Sequence, residues 1–182
     1  MGRTSAPGPG DTLATLEAWM AAYGADVLNV AYAYVRNYHQ AQDIAQDVFL
    51  RALTKMESFR GESSVKTWLL SITVNRCKDY LRSWAVRHEV QDEEQMALRE
   101  AASDTEAEAV NRLERERVWQ ALQQLPLKYR EVVVLYYMRG LPGHEVARVL
   151  GISEQNVRTR LHRGRTMLRQ MLEEEVDRHE RL

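Results

Sequence analysis

A single cysteine, Cys77, stands among 182 residues, which excludes an internal disulfide and any zinc site built on several thiolates. A reducing, cytoplasmic setting is then the default expectation. Only 4 prolines and 9 glycines interrupt the chain, so long helices are favoured over a succession of short strands and turns. Aromatic residues make up 8% and follow no repeat. Apolar runs such as Val132 to Met138 fall far short of the roughly 20 residues that a membrane span needs. The N-terminal MGRTSAPGPGD has no apolar core of a signal peptide, and residues 1–10 read as a short disordered lead. Nor is there an overall charge, the formal sum being −1. Any surface built for a polyanion must therefore be local.

What the chain does have is 45% hydrophobic residues, enough for one domain or two small ones, and a C-terminal stretch with a clear pattern. From Leu141, the residues Val146, Ala147 and Leu150 recur at helical spacing and Gly151 breaks them off. Ser153, a natural N-cap, then opens a second helix with Val157, Leu161, Gly164 and Leu168 on one stripe. Helix, tight turn and helix follow one another, with Ala147 small enough to let the two cross closely. The side away from the stripe carries Gln155, Arg158, Thr159, His162, Arg163 and Arg169. Such donors suit phosphates and base edges in a major groove. Between Leu141 and Gln170 six arginines face two glutamates, a local excess of +4 in a nearly neutral chain.

Upstream, helical patterns run from Asp11 to Tyr23, with Gly24 as a stop, and from Ala25 to Asn37. A third runs from Gln40 to Met56, with Ile44, Val48, Phe49, Ala52, Leu53 and Met56 inward and Asp43, Gln46 and Asp47 on the opposite side. Glu57 to Ser64 reads as a loop, and Ser63 or Ser64 can cap a long helix from Val65 to about Trp84, with Trp68, Leu69, Ile72, Tyr80 and Leu81 on its buried stripe. Lys55 to His88 carries a second excess of +4, interleaved with Phe59, Trp68, Tyr80 and Trp84. Cations beside aromatic rings are what single-stranded bases stack on. From His88 to Arg117 the balance reverses to −6, and residues 89–108 read as an acidic linker. A helix from Ala109 to Gln124, a turn at Pro126 and a helix from Lys128 to Arg139 that is apolar almost all round lead into the C-terminal motif. Gly140 can end that helix in a left-handed cap, and residues 173–182 form an acidic tail. The fold class expected is all-α: two small helical domains, 11–88 and 109–172, joined by the linker.

Three ordered segments carry a resemblance that spans Leu16 to Leu172: DIAQDVFLRAL (Asp43 to Leu53), FRGESSVKTWLLSITVNRCKDYLR (Phe59 to Arg82), and LPLKYREVVVLYYMRGL with EVARVLGISEQNVRTRLHRGR. Together they resemble regions 2 and 4 of an extracytoplasmic-function (ECF) sigma factor. The resemblance implies a promoter-specificity subunit of bacterial RNA polymerase. It implies that Asp43, Gln46 and Asp47 dock on the clamp coiled coil of the largest core subunit. Phe59, Arg60, Ser63, Ser64, Lys66, Asn75, Arg76 and Lys78 would seize the unstacked minus-10 strand. Arg158, Thr159, His162 and Arg163 would read the minus-35 duplex, joined by Gln155, while Arg160 and Arg165 would meet phosphates from the flanks. An anti-sigma protein, in this family often membrane-anchored, would hold the chain off DNA.

The sequence departs from the family pattern at Pro142 and Gly143, where a Ser or Thr cap is usual, so Pro at the first helical position would have to start that helix. Gln155 and Asn156 stand where Gly-Thr is frequent, which bears on base preference. No catalytic constellation, cofactor motif or metal-ligand spacing accompanies these segments. His39, His88, His144, His162 and His179 are scattered, so no enzyme is expected. The competing reading is an autonomous helix-turn-helix regulator, which would bind a two-fold operator without polymerase. A weaker one is an enzyme acting on nucleic acid.

Overall fold

The structure, a computed structural model, describes residues 9–87 and 106–179. Residues 1–8, 88–105 and 180–182 lie outside them, and with them most of the expected lead and linker, His88, and the end of the tail. The described residues form α1 (Pro9–Val35), α2 (Tyr38–Lys55), α3 (Val65–Arg87), α4 (Glu106–Gln124), α5 (Leu127–Val133), α6 (Gly143–Leu150) and α7 (Glu154–His179). The chain divides into two compact units, α1 to α3 falling in the first and α4, α5 and α7 in the second.

In the first unit each helix packs on the other two. Val27, Val30, Ala31 and Tyr34 of α1 meet a core completed by Ile44, Val48, Phe49 and Ala52 of α2 and by Leu69, Leu70, Val74 and Cys77 of α3, all buried. Alanines at 31, 41 and 52 keep the interhelical distance short. Burial pushes the Cys77 thiol up to about 12, so it behaves as a small apolar side chain. Two buried hydroxyls in α3 are satisfied within their own helix or at its cap. Thr73 Oγ1 donates to the Leu69 carbonyl at 2.8 Å, and the Thr67 hydroxyl lies 2.8 Å from that of Ser64.

Two expectations are corrected here. Gly24 does not stop a helix: α1 runs through it from Pro9 to Val35, with open space where a Cβ would be. The break falls at Arg36, a non-glycine residue in the left-handed region at φ 56, and Asn37 caps α2 by accepting from Gln40 N at 3.0 Å. The buried stripe of α3 also lies a step away from the one expected. Thr67, Leu69, Leu70, Thr73, Val74 and Cys77 are interior, whereas Trp68, Ile72, Tyr80 and Leu81 are only half-buried. Spacing gave the period but not the phase.

In the second unit α7 packs along α5 and α4. Pro126 starts α5, its carbonyl accepting from Tyr129 N at 2.9 Å and Arg130 N at 3.1 Å. Past Val133 the helix widens to π geometry over Val134–Met138, and Arg139 N reaches back to Val134 O at 3.0 Å. This segment, apolar almost all round in sequence, is not buried all round as that pattern led one to expect. Val132 to Leu135 are buried, but the widened turn leaves Tyr136 and Tyr137 exposed, their rings edge-to-face at 5.0 Å. Gly140 does take the left-handed cap at φ 70. The start of α6 also differs from expectation. Pro142 precedes it, accepting from Glu145 N at 2.9 Å and Val146 N at 3.0 Å, and Gly143 is the first helical residue. α7 extends to His179.

Candidate nucleic-acid interface

The turn between α6 and α7 is fixed at both ends. Gly151 adopts φ 67, and the amide of Ile152 closes back on the Ala147 carbonyl at 3.1 Å, a Schellman closure that needs a left-handed residue at this point. Ser153 then caps α7, its Oγ accepting from Asn156 N at 3.2 Å. From that start the helix is registered by Val157 and Gly164, both buried, with Leu161 and Leu168 half-buried beside them. Gly164 is needed at its place. A Cβ there would stand 2.9 Å from Val133 Cγ2 and 3.4 Å from Tyr129 Cβ.

That register leaves Gln155, Arg158, Thr159, His162, Arg163, Arg165 and Arg169 exposed on one broad face. Thr159 Oγ1 donates to the Gln155 carbonyl at 3.0 Å, which commits its proton and presents its methyl and lone pairs outward. Arg160 is the exception. Its Nη1 lies 2.9 Å from Oε1 of Glu131, whose carboxylate is buried in α5, so this arginine is engaged inside the unit rather than standing at a flank. Spacing set Arg160 at a flank of the face but could not show this ion pair, because its partner lies 29 residues away.

In the first unit Ser64 is the cap of α3, accepting from Thr67 N at 3.1 Å, while Ser63 is not. Phe59 belongs to an aromatic cluster: its ring is 5.0 Å from that of Trp68 and 6.4 Å from that of Trp19. Trp19 comes from α1 and was not among the expected site residues. No spacing links it to the Phe59 loop. Arg60, Ser64 and Asn75 are exposed, whereas Ser63, Lys66, Arg76 and Lys78 are half-buried. Two of these cations have carboxylate partners on other helices. Lys66 Nζ is 2.9 Å from Asp26 Oδ2 of α1, and Arg76 Nε donates to Asp47 Oδ2 of α2.

Asp43 and Gln46 are exposed on α2, and Asp47 is half-buried beside them. Burial pulls the Asp47 carboxyl upward, but hydrogen bonds from Arg76 and Arg51 outweigh it and hold the carboxyl below its usual range. Burial raises Tyr80, and the nearby negative charge of Asp43 adds to the effect. The expected polymerase-docking patch and the expected single-strand patch therefore share an ion pair, Asp47 with Arg76.

An all-helical chain whose second unit ends in a capped helix with an exposed arginine face is, by class, a helix-turn-helix nucleic-acid-binding protein. Sigma-70 region 2 matches residues 19–86, and Sigma-70, region 4 matches residues 115–168. The chain is similar to the ECF RNA polymerase sigma factor SigW of Bacillus subtilis, 34% identical over 158 residues that cover 82% of this chain and 84% of SigW. It is 35% identical over 154 residues, 83% of its length, to the probable RNA polymerase sigma factor RfaY of Xanthomonas campestris, and spans 38% of that longer protein. The fold matches that of the sigma factor RpoE, solved in complex with the anti-sigma factor NepR from Bartonella quintana, with a TM-score of 0.71 at 19% identity, covering 87% of this chain and 97% of that one.

This chain belongs to the ECF RNA polymerase sigma factors, with sigma-70 regions 2 and 4. It acts in transcription initiation as a non-enzymatic subunit, region 2 binding the minus-10 and region 4 the minus-35 promoter element. That membership takes the place of the free-standing regulator. Among the described residues no helix is long and apolar enough to cross a membrane, and no group of three or more metal-ligating side chains comes together.

Proposed function

We propose that residues 11–88 and 109–172 are the two working domains and that residues 89–108 link them as an acidic connector. In the second, Arg158, Thr159, His162, Arg163 and Gln155 read base edges of the minus-35 duplex, and Arg165 and Arg169 meet phosphates. Arg160 serves this face from behind, through Glu131. In the first, Phe59, Arg60, Ser63, Ser64, Asn75 and Lys78 hold separated minus-10 bases, with the Trp19, Phe59 and Trp68 cluster as an apolar floor, while Lys66 and Arg76, paired with Asp26 and Asp47, brace this surface from behind. Asp43, Gln46 and Asp47 dock on the polymerase core.

The single observation that carries this reading is the exposed face of α7, whose arginines stand opposite a stripe fixed by Val157 and Gly164. Melting then needs no hydrolysis by this chain: bases that separate are captured and kept. The protein works in the cytoplasm, where promoter and polymerase are. An anti-sigma protein, membrane-anchored in the arrangement the family suggests, holds it off DNA, and the complex of RpoE with NepR supports such a partner.

Reconstituted holoenzyme tests the assignment. Arg158→Ala or Arg163→Ala should each weaken recognition of the minus-35 element by about 1–3 kcal/mol. Unchanged promoter choice and strength in both variants would remove the α7 face from the interface.

A further inference from the structure

We propose that Lys128 and Tyr129, on the first turn of α5, form with Arg163 a second edge of the minus-35 interface, Tyr129 positioning the Arg163 guanidinium and Lys128 taking a DNA phosphate. The inference rests on the reading of α7 as the recognition helix and extends it to a helix outside the helix-turn-helix.

The geometry begins at Gly164. Because this residue has no side chain, α5 approaches α7 so closely that a Cβ there would lie 3.4 Å from Tyr129 Cβ and 3.5 Å from the Tyr129 carbonyl oxygen. Tyr129 and Val133, four residues apart and thus on one face of α5, are the two residues in this contact. Arg163 is the immediate neighbour of Gly164 and emerges on the exposed side of the same turn. Tyr129 is half-buried at the rim of the contact, and Lys128 beside it is exposed, its Nζ 5.0 Å from the centre of the Tyr129 ring. Lys128 and Tyr129 thus stand together against α7 at Gly164, next in the chain to the exposed Arg163.

Their electrostatics agree. The Tyr129 phenol is held below its ordinary pKa, first by a hydrogen bond from Arg163, which outweighs the opposing effect of burial, and then by the charge of Lys128. A phenol oxygen that accepts from a guanidinium fixes the plane of that group, and a long side chain already fixed loses less rotamer freedom when it meets a base. The nearest acid in the α5 sequence, Glu131, is engaged with Arg160 on the interior side. Lys128 therefore adds positive charge where the duplex backbone would run past a helix seated in the major groove. A positively charged rim beside a base-reading arginine fits a phosphate.

The test uses holoenzyme assembled from core polymerase and the full chain, with promoter fragments substituted base pair by base pair across the minus-35 element and binding measured over a range of salt. Tyr129→Phe keeps the ring packed on Gly164 and removes only the hydroxyl. It should reduce discrimination at the same base positions as Arg163→Ala does, and add nothing when combined with Arg163→Ala. Lys128→Gln should weaken all fragments alike and lower the slope of log K against log salt by about 1, with Lys128→Arg keeping the original slope.

Wild-type discrimination in Tyr129→Phe, or an effect that persists undiminished in the Arg163→Ala background, overturns the positioning role. An unaltered salt slope in Lys128→Gln overturns the phosphate contact. If Arg163→Ala alone leaves minus-35 discrimination intact, the reading of α7 falls and this inference falls with it. An effect of Arg163→Ala without effects of the α5 variants removes the inference alone.

Discussion

Arg160 Nη1 stands 2.9 Å from Oε1 of Glu131, and this pair fastens the DNA-facing helix α7 to the buried helix α5 beneath it. The glutamate side chain is 7% exposed, so its charge depends on cations brought to it. Arg160→Ala withdraws one of them and should cost roughly 3 kcal/mol, because an under-compensated buried carboxylate is expensive. The neighbouring Arg158→Ala, on the exposed face, should stay within about 0.5 kcal/mol. Urea denaturation of the two variants gives the comparison. Equal stabilities would mean that the pair does not fasten α7. Adding Glu131→Gln to Arg160→Ala should restore part of the loss, since the neutral amide is cheaper to bury.

Asp47 makes the first unit sensitive to acid. Its folded pKa is lowered, so the stabilisation is present above the unfolded value of about 4 and is lost as pH falls through the lower folded value. The side chain is 34% exposed, so solvent screening limits the pair with Arg76 to about 0–1 kcal/mol. Thermal unfolding followed from pH 6 down to about 3 should show a shallower loss for Asp47→Asn than for the parent. Parallel curves would show that Asp47 contributes nothing to the acid limb.

Gly24 is a helical glycine with nothing within 4 Å of the place a Cβ would take. Gly24→Ala should therefore stabilise α1 by about 0.5–1 kcal/mol, through the smaller loss of backbone freedom on folding. A raised midpoint in chemical denaturation with an unchanged slope is the expected result. A lowered midpoint would mean that the backbone at residue 24 is not helical.

Cys77 should resist alkylation while the first unit is folded. Its side chain is buried and its thiol is pushed up to about 12, so thiolate is scarce at neutral pH and the reagent has no access. Iodoacetamide labelling followed by intact mass should be slow in buffer and fast in denaturant. Rapid labelling under native conditions would place this thiol outside the core.

How far residues alone disclosed these features depends on the range of the interaction. Ser64, Ser153, Gly140 and Gly151 were legible because a cap or a left-handed turn acts over three to six residues, and each is found in that role. The period of α3 was legible and its phase was not. Trp68 reads as core by type, yet it sits half-buried between Trp19 and Phe59, because three helices share one core and only some faces can enter it. Gly24 misled because a glycine permits a break without requiring one. The break at Arg36 gave no signal of its own, since a left-handed arginine holds only where the packing on both sides insists on it.

The sequence by itself determined the two basic patches, the helix-turn-helix and its arginine face, and the family, because all of these are written in composition, period and ordered motifs. The tertiary structure alone decided which cations stand on the surface. Arg160, Arg76 and Lys66 look like their neighbours until Glu131, Asp47 and Asp26 are brought to them from other helices. Charge is a property of the residue, but its availability to a nucleic acid depends on what the fold places within about 3 Å of it.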